Sequence, residues 1–157
     1  METTCLKTPL GTLQISGDTQ GISEVKFIDN SVISGDETPQ VLEEAVQQLK
    51  EYFSKTRTQF SLKLNPQGTE FQKKVWSTLQ TVDFGKTRTY QQIANTLGDP
   101  KVIRAAASAN GRNPIAIIIP CHRIIGSDGS LTGYAGGLDR KKWLLEHESP
   151  IKQGKLF

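Results

Sequence analysis

The chain has 157 residues, room for one domain or two small ones, and its 36% hydrophobic content is enough to build a core, which excludes a fibrous or wholly disordered chain. The N-terminal METTCLKTPLG lacks a charged region followed by an apolar run, and no stretch approaches the roughly 18 apolar residues of a membrane span, so the sequence predicts a soluble, cytoplasmic (intracellular) protein with no membrane partner. The net charge of +3 is unevenly placed: residues 1–66 carry 6 Lys and Arg against 9 Asp and Glu, and residues 67–157 carry 13 against 7, so a polyanion would meet the second part. Charge asymmetry of this size is equally compatible with ordinary solvated surface. Cys5 and Cys121 lie far apart in an unexported chain and read as two thiols.

In chain order, CLKTPLGTLQIS and GISEVKFID alternate apolar and polar residues around a Gly-Asp-rich break, which predicts an antiparallel strand pair. PQVLEEAVQQLKEYF sets Val41, Leu42, Ala45, Val46, Leu49 and Phe53 at helical spacing, and Phe60 to Leu64 reads as a short strand. The break Asn65-Pro66-Gln67-Gly68 then divides the chain into domains 1–66 and 67–157.

Three helix starts follow. Thr69 and Gln72 fit a capping box ahead of Phe71, Val75, Trp76 and Leu79, and Thr89 and Gln92 fit a second one ahead of Ile93, Ala94 and Leu97, with Gly98 as the stop. Asp99 and Pro100 supply an N-cap and a first-turn proline for KVIRAAASAN, which Gly111 would end. Two short helices around a tight turn, a strand from Ile115 to Ile119 and a looped hairpin at Gly126-Ser127-Asp128-Gly129 make a winged helix-turn-helix. The second helix of the pair is poor in long polar side chains. Arg104, Lys101 and Asn110 could reach a base edge, while Ala105, Ala106, Ala107, Ser108 and Ala109 suit either close backbone approach to a groove or tight packing in a core.

The stretch IIIPCHRIIGSDG, residues 117–129, puts Cys121 beside His122 and Arg123 behind an apolar run. A thiol is nucleophilic as its thiolate, and its ordinary pKa of about 8.5 calls for a neighbouring base or cation. Neighbours on an extended strand face opposite ways, so His122 serves Cys121 only if the backbone bends at Pro120 or a water bridges them. A thiol flanked by apolar residues also suits an inert core position. In WLLEHE, His147 shares a helical face with Trp143 and Leu144, whereas Glu148 could orient His122 if the last helix folds back, and could equally be an exposed helix-end carboxylate. On residues alone, a cysteine nucleophile acting on DNA, a winged-helix regulator that only binds DNA and a cysteine hydrolase all fit.

Several separated motifs then converge. Pro120-Cys121-His122-Arg123, Thr89-Tyr90-Gln91-Gln92-Ile93-Ala94, IRAAASANGRNPIAIIIPCHRIIGSDG and LTGYAGGLDRKKWLLEHE occur in the order found in the O6-alkylguanine-DNA alkyltransferases (methylated-DNA-protein-cysteine S-methyltransferases), which the chain closely resembles over nearly its whole length. The resemblance implies an α+β protein: a small N-terminal α/β domain, ribonuclease H-like in the family, followed by a winged helix-turn-helix domain. It also implies DNA repair in which the alkyl group of O6-methylguanine, and of O4-methylthymine, passes from duplex DNA to the protein's own cysteine in one irreversible turnover.

Carried onto this chain, the resemblance makes Cys121 the acceptor, His122 its base through a water, Glu148 the group that orients His122, and Asn113 the brace of the cysteine's turn. Tyr90 supplies a phenol near the leaving base, and Arg104 enters from the minor groove behind a flipped nucleotide, with Ala105, Ala106, Ala107, Ser108 and Asn110 on the DNA-facing helix. Arg123, Ile124, Tyr134 and Ala135 complete the DNA- and substrate-binding set, Ala135 standing where some members have a serine hydroxyl. The resemblance implies no cofactor, no metal and a monomer.

Overall fold

A computed structural model of the chain describes residues 1–28 and 38–149. They divide into two compact units, one of residues 1–67 with 114–116 and one of residues 68–113 with the chain from Ile117 onward.

The first unit is a three-stranded antiparallel meander, β1 (Glu2–Thr8), β2 (Gly11–Asp18) and β3 (Gly21–Ile28), in the order β1-β2-β3. The strand pair expected from the alternation is a triplet, because Thr8-Pro9-Leu10-Gly11, which resembles the family's first hairpin, makes a tight turn inside the segment whose alternation reads as one strand: Thr8 pairs with Gly11, and the Thr8 hydroxyl donates to the Gly11 carbonyl. Asp29, the last residue of the second expected strand, lies outside the described residues.

Helix α1 (Gln40–Phe53) packs on β1 and β2 with Leu42, Ala45, Val46 and Leu49 buried. Leu42 and Leu49 are each worth about 1.5–3 kcal/mol of burial. Tyr52, rather than the expected Val41, also faces inward, and Val41 is exposed. Buried Gln48 donates to Glu44 and to the Ser61 hydroxyl and accepts from the Ser61 amide at 2.9 Å, so its polar atoms fasten the returning chain. The expected strand at 60–64 reduces to a single parallel bridge, Ile22 with Leu64. Val25 bridges Ile115 in the same way, which is why Pro114–Ala116 belong to this unit.

In the second unit both expected capping boxes are present, Thr69 with Gln72 opening α2 (Glu70–Leu79) and Thr89 with Gln92 opening α3 (Tyr90–Thr96). Gly98, at φ 95°, takes the left-handed turn after α3 that other residues resist. Asp99 caps a short 3₁₀ turn, Pro100–Val102, which runs into α4 (Ile103–Gly111). The Trp76 indole donates to the Ala109 carbonyl at 2.8 Å and ties α2 to α4 through the small residues of that helix.

The Ile-rich run is not the expected strand. Ile117 sits at φ 71°, a conformation that costs a β-branched residue about 1–2 kcal/mol, and the chain turns there with Ile117, Ile118 and Ile119 all buried. A short apolar run looks the same whether it is a strand or a buried turn. Strand pairing instead joins β4 (Arg88–Thr89) in parallel to β5 (Ile124–Ile125), and the expected hairpin at residues 126–129 is a closed turn with no returning strand. Helix α5 (Leu138–Glu148) ends the described chain.

Candidate active site

Cys121 heads a 3₁₀ turn, Cys121–Arg123, and the bend that a working Cys-His pair requires lies at Pro120. With φ −83° and ψ 62°, Pro120 is the centre of an inverse γ-turn closed by the Cys121 amide donating to the Ile119 carbonyl at 2.8 Å. The Asn113 side chain donates to that same carbonyl at 2.7 Å and also hydrogen-bonds the thiol. Burial pushes the Cys121 thiol above its ordinary pKa, against the pull of Asn113 and of the Lys141 charge.

Helix α5 does fold back. His122 Nε2 lies 2.7 Å from Glu148 Oε2, with both side chains essentially out of solvent. A carboxylate on Nε2 keeps the proton there and leaves Nδ1 as the acceptor. Burial alone would raise the Glu148 carboxyl, but the hydrogen bond of His122 and the hydrogen bonds and charge of Arg123 overcome it and hold the carboxyl well below the usual range.

Arg123 departs from its expected place among the DNA- and substrate-binding residues. It is buried, with Nε 2.8 Å from Glu148 Oε1, Nη2 3.0 Å from Oε2, Nη1 donating to the Val82 carbonyl at 2.6 Å, and its guanidinium over the Phe84 ring. An arginine beside a buried carboxylate is held there by the bidentate match.

The expected α4 set also divides. Arg104, Ala105 and Ser108 are exposed and Ala107 is half-buried, but Ala106 packs inward, and buried Asn110 donates to the Cys121 carbonyl at 3.5 Å. The cause is helical period: positions 106, 109 and 110 share the face turned to the core. The exposed face borders a cavity of about 690 Å³ lined by Tyr90, Ile103, Arg104, Ala107, Gly111 and Thr132 to Ala135. Tyr90 reaches across it to donate to the Thr132 carbonyl at 3.2 Å. Ile124, fully buried, already spends its carbonyl on Lys141 at 2.6 Å.

Three buried polar atoms of this unit have no hydrogen-bond partner among the described residues: Asn110 Oδ1, His122 Nδ1 and the Tyr134 hydroxyl. Burial pushes the Tyr134 phenol well above its ordinary pKa, so it stays a neutral donor. Unsatisfied atoms gathered near one thiol mark a place where a polar ligand or water completes the hydrogen bonding. Among the described residues no three His, Cys, Asp or Glu side chains gather as a metal site, and no helix is long and apolar enough to cross a membrane.

The family model for the 6-O-methylguanine DNA methyltransferase DNA-binding domain matches residues 70–150, and that for the same proteins' ribonuclease-like domain matches residues 1–66. The chain belongs to the 6-O-methylguanine DNA methyltransferase family. It is 47% identical over 148 residues to the methylated-DNA–protein-cysteine methyltransferase of Methanosarcina barkeri, covering 91% of this chain and 94% of that protein. The protein of the same name from Mycolicibacterium paratuberculosis is 44% identical over 144 residues, with 89% and 87% covered. Among solved structures, Mycobacterium tuberculosis OGT in complex with DNA superimposes with a TM-score of 0.86 at 39% identity, covering all of this chain and 99% of that one.

Sequence reasoning on this family's motifs overlooked Lys141 and the Val82-Phe84 cradle of Arg123. Lys141 was open to discovery, since positions 141, 144, 145 and 148 fall on one helical face with two leucines and the buried Glu148. Nothing local marks Val82 or Phe84.

Proposed function

We propose that the protein repairs alkylated duplex DNA by moving the alkyl group of an O6-alkylguanine onto Cys121, once per molecule. The observation that carries this reading is the state of His122, held by Glu148 through one ring nitrogen at 2.7 Å with the other buried and without a partner among the described residues, on the residue next to a thiol. That is the arrangement of a base waiting to take a proton.

The Cys121 proton passes through a water to His122 Nδ1, and Glu148 stabilises the imidazolium that forms. Sγ attacks the alkyl carbon opposite O6; the S–C bond forms as the C–O6 bond breaks, and the electron pair goes to the guanine. The Tyr90 hydroxyl, at the cavity wall, gives the guanine the proton it needs to leave as an unmodified base and recovers one from solvent. A thioether has no hydrolytic exit, so the protein is consumed, and the displacement draws on no cofactor.

Cys121 is almost fully buried, so the nucleotide has to leave the base stack to reach it. The exposed face of α4, with small Ala105 and Ser108 flanking Arg104, suits close approach along a minor groove, Arg104 filling the space that the nucleotide vacates. The protein acts as a monomer inside the cell, where this substrate is found. O4-methylthymine presents an alkyl ether to the same thiol and is a second substrate.

The test is intact mass and peptide mapping after mixing equimolar protein with a duplex holding one O6-methylguanine. One methyl on Cys121, with no further conversion on adding more DNA, is expected; repeated turnover or an unmodified protein that still binds the duplex overturns the reading.

A further inference from the structure

Lys141 is a charged residue buried at the centre of the site, and the chemistry above gives it no task. Removing an ammonium from water costs several kcal/mol, so its place needs a return. Its Nζ donates to the Ile124 carbonyl at 2.6 Å and to the Thr132 carbonyl at 2.7 Å, and no carboxylate among the described residues pairs with it. Ile124 follows the Cys121 turn by one residue; Thr132 begins the cavity wall that runs on to Ala135. The Thr132 carbonyl also accepts from the Tyr90 hydroxyl, and Nζ stands 5.9 Å from the centre of the Tyr90 ring. One ammonium therefore joins the backbone after the thiol, the cavity wall and the phenol.

We propose that Lys141 is a positioning residue for alkyl transfer, which pins the Thr132–Ala135 wall to the thiol's turn and sets a positive charge, paired with no carboxylate among the described residues, where sulfur charge develops during the attack. This rests on the alkyl-transfer reading of Cys121. The other cations of the thiol's turn are committed elsewhere, since Arg123 and His122 both lie on Glu148. Tyr134, which also feels Cys121, is kept neutral by burial, and Arg140 and Glu148 act on Tyr134. The coupling runs both ways. Lys141 pulls the thiol down against the burial that raises it, while burial lowers Lys141 to about 8 against the pull of Cys121. Two groups linked in this way titrate as a pair.

The experiment follows the ultraviolet thiolate absorbance of Cys121 against pH in a Cys5→Ser background, with and without Lys141→Met, which keeps length and loses charge. The same proteins are tested for single-turnover methyl transfer from an O6-methylguanine duplex across that pH range. The thiol of the variant is expected to titrate about one unit higher, with transfer slowed about tenfold at neutral pH and recovering as the pH rises. Transfer that falls equally at every pH with an unmoved thiol titration means packing alone, and overturns the role of the charge. If Lys141→Met does not fold, Cys121→Ser supplies the reciprocal measurement: the Lys141 ammonium, followed by NMR, titrates lower once the thiolate is gone, and an unchanged titration overturns the proposal. A shifted thiol in a protein that transfers no methyl even as wild type would refute the repair reading and leave the hold of Lys141 on Cys121 intact.

Discussion

Glu148 receives His122 on one oxygen at 2.7 Å while Arg123 grips both of its oxygens, so a single carboxylate at the end of α5 both fixes the imidazole and neutralises a buried guanidinium. Glu148→Gln is therefore expected to act twice. Methyl transfer should fall by roughly 10²–10⁴, the usual worth of a positioned acid-base group, and stability should fall by about 3–5 kcal/mol because Arg123 is left buried without its anion. Single-turnover kinetics and denaturant midpoints read the two effects separately; a full-rate variant would remove Glu148 from the relay.

The same carboxylate predicts an acid limit. A group whose pKa is depressed in the folded state adds stability above its unfolded pKa, about 4.3 for Glu, and that contribution is lost as pH falls toward the folded value. Since Glu148 is held well below the usual range, the wild type should weaken steadily on acidification below about pH 4.3. Glu148→Gln should have a flatter profile in the same window. Equal slopes for the two proteins would contradict the assignment.

Arg123 separates a structural from a DNA-binding role. Arg123→Ala should lower stability by about 3–5 kcal/mol, whereas duplex affinity measured on the folded fraction should be unchanged, because the guanidinium is spent on Glu148, Val82 and Phe84. A loss of affinity with stability intact would return it to the DNA-facing set.

Arg104 should behave in the opposite way. It is exposed at the rim of the cavity, so Arg104→Ala should leave stability within about 0.5 kcal/mol while weakening duplex binding. If the side chain meets a phosphate, the slope of log affinity against log salt should fall by about 0.9.

Tyr134→Phe removes a buried hydroxyl that has no partner among the described residues. Stability should hold or rise by about 1 kcal/mol, and transfer should slow if that hydroxyl meets the flipped base. A loss of stability in thermal unfolding would show that the hydroxyl is satisfied without substrate.

What was legible in the sequence is local. The capping boxes at Thr69 and Thr89 and the Asp99 cap depend on side chains three residues apart or fewer, and they stand where the spacing places them. The bend at Pro120 is legible for a similar reason, since neighbouring residues have to share one side of the chain to work together. The Ile115 to Ile119 run misleads because burial on every side removes the alternation that separates strand from turn.

The sequence by itself determined the family, the helix pair and the identity of a thiol beside an imidazole, because these follow from residue type and short-range order. Tertiary structure alone decided which charges meet. Arg123 and Glu148 are 25 residues apart and Lys141 lies 17 beyond Ile124, so nothing in local spacing could show that one arginine is spent on the carboxylate that also holds His122 and one lysine on the backbone just after the thiol's turn. Burial fixed both outcomes: a charge out of water keeps whatever partner lies within reach, and the folding back of α5 put those partners there.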